Sequence, residues 1–70
     1  MRPKLRPGYN IWSEEDYGDT WWSWAWIARN GTMMAKCGSR LSSKRAIQKS
    51  LQGFLHQVRT NVHQPIYFHN

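Results

Sequence analysis

The residues able to do chemistry are few, and their spacing is poor. Cys37 is the sole thiol, and His56, His63 and His69 are the imidazoles that could activate it. A thiol–imidazole pair makes a nucleophile only when the two groups share a hydrogen bond, and nothing local joins them. A lone cysteine at the end of an apolar strand reads as a small packing residue. His63 and His69 with Cys37 do not form a zinc spacing. The four carboxylates, Glu14, Glu15, Asp16 and Asp19, lie within six residues and lack the alternation of a calcium loop. No Asp or Glu occurs elsewhere to complete a separated acid–base pair, and no Gly-x-x-x-x-Gly-Lys phosphate loop occurs. These patterns point away from an enzyme and away from any metal or cofactor. What remains is binding chemistry, carried by cations and aromatic rings.

The charge is large and segregated. Ten Lys and Arg face four acids in 70 residues, for a net charge of +6. From Thr20 onward there are seven basic residues and no acid. A surface of one sign attracts polyanions: nucleic acid, or an acidic protein surface. No apolar run approaches the roughly 20 residues of a membrane span, so no membrane partner is expected. The N-terminus is basic and lacks the apolar segment of a secretory signal. One cysteine cannot form an internal disulfide, which points to a reducing compartment and a cytoplasmic protein.

The elements that must position these groups follow from hydrophobic period. Residues 1–8 read as a basic arm, with Arg2, Lys4 and Arg6 between Pro3 and Pro7, which favour extended chain. Tyr9–Ser13 alternates as a short strand, and Glu14–Asp19 reads as a loop. Thr20–Arg29 is the strongest strand, with Trp22, Trp24, Trp26 and Ala28 on one face and Trp21, Ser23, Ala25 and Ile27 on the other. Asn30-Gly31 predicts a type I′ hairpin turn into a returning strand, Thr32–Cys37. After a connector over Gly38–Ser42, Ser42 or Ser43 is a suitable N-cap. Ala46, Ile47, Ser50, Leu51, Phe54, Leu55 and Val58 recur at helical spacing, and the helix should end at about Asn61. Gly53 inside it predicts a close helix–sheet contact. The expected fold is α+β: a three-stranded antiparallel meander with one amphipathic helix on one face, spanning residues 9–60. The tail, 61–70, ends in Ile66-Tyr67-Phe68, which could dock, add a fourth strand or contact another molecule.

The run Tyr9 and Ile11, then Trp22, Trp24 and Trp26, then Asn30-Gly31, Met33-Met34-Ala35 and Ser42-Ser43-Lys44, resembles the YegP-like family of short domains of unknown function. Ala46, Ile47, Leu51 and Phe54 continue the match, which covers about fifty residues. The resemblance implies the fold and no activity. The chain departs from it at Ser23, Ala25 and Ile27, where that family is usually cationic, and at Gly38-Ser39-Arg40-Leu41. The strand–strand–strand–helix order is also similar to the arm-binding domain of phage integrases, which enters the DNA major groove with its open sheet face.

Two functions of different kind follow. In the first, a non-enzymatic accessory protein binds nucleic acid through Arg40, Lys44, Arg45, Lys49 and Arg59, with Arg2, Lys4 and Arg6 of the arm. Arg45, Lys49, Gln52, His56 and Arg59 share one helix face. In the second, the open sheet face, with Trp12, Trp21 and Ile27, is a protein interface. It would serve a homodimer, or a small inhibitor from a phage or mobile element that docks on a host protein. The charge is the more extensive signal and places nucleic acid first.

Overall fold

The computed structural model describes residues 3–58 and 64–69. In chain order the elements are β1 (Gly8–Asp16), β2 (Asp19–Ile27), β3 (Met33–Lys36), α1 (Lys44–Val58) and β4 (Ile66–Phe68). They form an α+β fold with one four-stranded mixed sheet, ordered β3-β2-β1-β4. The three-stranded antiparallel part matches the expected meander. The fourth strand is the tail, which runs parallel to β1 with Tyr9 opposite Ile66 and Ile11 opposite Phe68. Residues 59–63, where the helix end at Asn61 and the boundary between 60 and 61 were expected, lie outside the described residues.

Both hairpins differ from the sequence expectation, each for its own reason. The stretch Glu14–Asp16 is strand rather than loop, because the turn is only two residues long, Tyr17-Gly18. Both have positive φ, 52° and 80°, with Asp16 opposite Asp19. This is the combination a type I′ turn requires. The acids beside it bind locally: Glu14 accepts from the Trp12 indole at 2.9 Å and Glu15 from the Thr20 hydroxyl at 2.7 Å. At Asn30-Gly31, by contrast, only Gly31 has positive φ, at 88°. The Gly31 N–H donates to the Ala28 carbonyl, and Ala28 N–H to the Thr32 carbonyl, both at 2.9 Å. That is a wider turn with a glycine bulge. The Asn30 side chain instead accepts the Thr32 N–H at 2.9 Å, so β2 ends at Ile27 rather than Arg29.

One sheet face carries the main core. Tyr9, Ile11, Trp24, Ile47 and Leu51 are buried together, with Trp22, Trp26, Phe54, Ala35 and Cys37 half-buried around them. The expected alternation of Trp22, Trp24 and Trp26 toward the helix therefore holds. The Trp24 ring lies 4.9 Å from Phe54, and its indole N–H donates to Ser50 Oγ at 3.0 Å. Tyr9 stacks on Trp26 at 5.7 Å. The connector before the helix is not free either. Leu41 exchanges two backbone hydrogen bonds with Trp22, at 2.7 and 2.9 Å.

The opposite face is covered as well, which corrects the expectation of an open sheet. Trp12, Ala25 and Ile27 are buried, with Leu5 of the arm packed on them. Asn10, fully buried, holds the arm there. Its Oδ1 accepts the Arg6 N–H at 3.0 Å and its Nδ2 donates to the Arg6 carbonyl at 2.8 Å, so one amide mimics a strand partner. His69 Nε2 sits 2.8 Å from the same Oδ1. Gly8, at φ 126°, permits the tail's approach: a Cβ there would lie 2.8 Å from the Pro65 carbonyl oxygen.

Tyr17 is almost wholly exposed and holds a left-handed backbone that costs a non-glycine residue about 1–2 kcal/mol. Tyr17→Asn, at no loss of burial, should therefore stabilise the protein by about 1 kcal/mol and raise Tm by about 4–8 °C in thermal unfolding. Asn10→Ala should have the opposite sign. Loss of a buried, doubly bonded amide costs on the order of 1–3 kcal/mol. It should also free the arm, read as faster tryptic cleavage after Lys4 than after the cations of α1.

Candidate nucleic-acid interface

Ser43 starts α1, as expected: its Oγ accepts the Ala46 N–H at 3.1 Å and its carbonyl the Ile47 N–H at 3.2 Å. The helix then buries Ile47 and Leu51, and its first turn holds Lys44 and Arg45 with no acid. Two cations at the positive end of the helix dipole are each unfavourable by about 0.3–1 kcal/mol at an exposed site. Lys44 recovers part of this from aromatic rings. Its Nζ lies 5.0 Å from the Phe68 ring centre and 5.9 Å from that of Trp22.

Farther along the same helix, Lys49, Gln52 and His56 are exposed. With Gly53 and Gln57 they line a shallow depression on the side away from the sheet. Gly53 was expected to admit a close helix–sheet contact. It faces solvent instead, and a Cβ built on it meets nothing within 4 Å. The apolar positions already fill the inner side, so what the glycine does is hollow the outer one.

The expected cationic residues do not form one surface. Lys44, Arg45 and Lys49 lie on α1, all exposed and in no ion pair among the described residues. Arg40 is committed elsewhere: its guanidinium pairs with Asp16 at 2.9 Å and lies 5.5 Å from the Trp21 ring centre. Lys4 and Arg6 belong to the arm, on the sheet face opposite the helix, where Arg6 stacks over Tyr67 at 4.1 Å. Arg2 and Arg59 lie outside the described residues.

The expected protein-interface residues are likewise redistributed. Trp12 and Ile27 are each only 5% exposed beneath the arm, so they cannot line an open face in this fold. Trp21 is half-buried beside Arg40. Apart from Tyr17 in the β1–β2 turn, the large apolar residues that reach solvent among the described residues are on the edge strands: Met33 and Met34 on β3, Ile66 and Phe68 on β4. Sequence reasoning noted the Ile66-Tyr67-Phe68 run, yet nothing in it marks Phe68 as the exposed member beside a lysine. Cys37 is half-buried against the core. Among the described residues no group of His, Cys, Asp and Glu could hold a metal, and no helix is long and apolar enough to cross a membrane.

The chain matches no family model, and no curated protein or solved structure is significantly similar to it.

Gly53→Ala should stabilise the protein by about 0.5–1 kcal/mol, since it removes the helix-interior glycine penalty without a clash. Chemical denaturation of the two proteins tests this. A lower midpoint in the variant would mean that the glycine is structurally required.

Proposed function

We propose that this protein is a non-enzymatic module that binds nucleic acid through the outer side of α1. One observation carries the reading. Lys44, Arg45 and Lys49 are exposed cations in no ion pair among the described residues, and two of them sit where the helix dipole opposes them. Stability alone would favour acids at those positions. Gln52 and His56 beside Lys49 supply hydrogen-bonding groups of the kind that accompany phosphate contacts. The lone thiol fits a reducing, cytoplasmic setting. The reading as a protein interface loses its best surface, because Trp12 and Ile27 are covered by the arm.

Binding to phosphates releases condensed counterions, so log affinity should fall linearly with log salt. The slope is about 0.9 per contact on duplex and about 0.7 on single strands. Arg45→Gln combined with Lys49→Gln should flatten that slope by about two contacts' worth, measured by fluorescence anisotropy over a salt series. Lys4→Gln, on the other sheet face, should leave the slope unchanged. No binding to either form of DNA or RNA at low salt would refute the reading.

A further inference from the structure

The sheet face under α1 is not covered evenly. The helix packs over β2, and toward β4 a groove of about 190 Å³ remains between helix and strand. Ile11 and Leu51 form its floor, Ile66 and Phe68 its outer wall, and Gln48 and Gln52 its helical lip. Phe68 is 51% exposed and Ile66 46%, so the wall presents apolar surface to water. Beside the Phe68 ring stands the Lys44 ammonium, 5.0 Å from the ring centre and in no ion pair among the described residues. The groove therefore combines a half-exposed aromatic ring, an adjacent cation, and two carboxamides one helical turn apart.

We propose that this groove seats an unpaired base of single-stranded nucleic acid, stacked against Phe68. The inference rests on the nucleic-acid reading above and names its substrate class. Three features select this occupant. The surroundings are cationic: Lys44 stands over the Phe68 ring at the groove's edge, and no acid lines it. That is the complement of a phosphate chain. An aromatic ring with a lysine at its face offers a base its stacking partner and the adjoining phosphate its counter-charge. The Gln48 and Gln52 amides each carry a donor and an acceptor, the groups that meet the Watson–Crick edge of a splayed base. A base inside a duplex is already stacked on its neighbours and paired at that edge, so a duplex cannot use this groove. It would engage only the cations.

The probes are a short oligothymidine and a blunt duplex of equal length, titrated at low salt by anisotropy against the full chain. Phe68→Ala should weaken oligothymidine binding about tenfold and leave duplex binding unchanged. Phe68→Trp, which keeps a stacking ring, should bind oligothymidine at least as tightly as the parent. Thermal unfolding of both variants confirms that the fold survives, as the half-exposed position favours. Gln48→Ala should weaken oligothymidine alone, whereas Lys44→Gln should reduce the salt slope on both probes. Equal binding of oligothymidine by the parent and Phe68→Ala, with duplex binding intact, overturns this inference and leaves the broader reading standing. Failure of the parent to bind either probe overturns both. A concentration-dependent dimer that Phe68→Ala dissociates would assign the groove to a second copy of the chain, and would overturn the inference too.

Discussion

One buried carboxamide organises the molecule. The Asn10 side chain sits in the middle of β1 with no exposure and binds three separate pieces of chain: the arm at Arg6, the strand start at Gly8, and the tail at His69. A buried amide without partners is costly, so this position favours the arrangement in which all three pieces are in place. The arm in turn brings Leu5 onto Trp12, Ala25 and Ile27, closing a second small apolar cluster. The tail brings β4 alongside β1 and Tyr67 beneath Arg6. A chain of this size has little core, and covering both sheet faces adds to the apolar area it buries.

That double coverage also decides which groups are available. The arm takes Trp12 and Ile27 out of solvent and carries Lys4 and Arg6 to the face away from the helix. The acids are gathered at the β1–β2 turn, where Asp16 retains Arg40. This exposed pair contributes little stability, about 0–1 kcal/mol, but it withdraws Arg40 from the cationic set. The helix is left with Lys44, Arg45 and Lys49, and beside them the partly covered end of the sheet at Phe68. The candidate site is thus defined as much by what the arm and the hairpin remove as by what α1 presents.

Periodicity made the larger elements legible. The alternation of Trp22, Trp24 and Trp26 placed one face of β2 in the core, and the Ser43 cap with Ile47 and Leu51 placed the helix and its inner side. What escaped was everything set by a single side chain's choice between competing partners. Asn30 could have taken a left-handed backbone, but its side chain found the Thr32 N–H. Tyr17 took that backbone although nothing in a tyrosine favours it, because Gly18 and the pairing of Glu14–Asp16 with β2 fixed a two-residue turn. Asn10 looks like an ordinary polar residue in a short strand, and its partners lie in segments with no periodicity of their own. The cations were countable in the sequence. Their division between the two faces was not, because it depends on where the arm lies.

The parallel pairing of β4 with β1 bears on how the chain can be made. The Asn10–His69 contact spans 59 residues, and β1 lies inside the sheet only once Ile66–Phe68 are beside it. During synthesis at about 5–20 residues per second, the β1–β2 hairpin exists for some seconds with β1 as one long open edge and the Asn10–His69 contact unmade. Closing such a distant contact is slow relative to hairpin or helix formation. The nascent chain therefore carries β1 as an open edge until residue 69 has left the ribosome, and the sheet is completed after translation of the tail rather than during it.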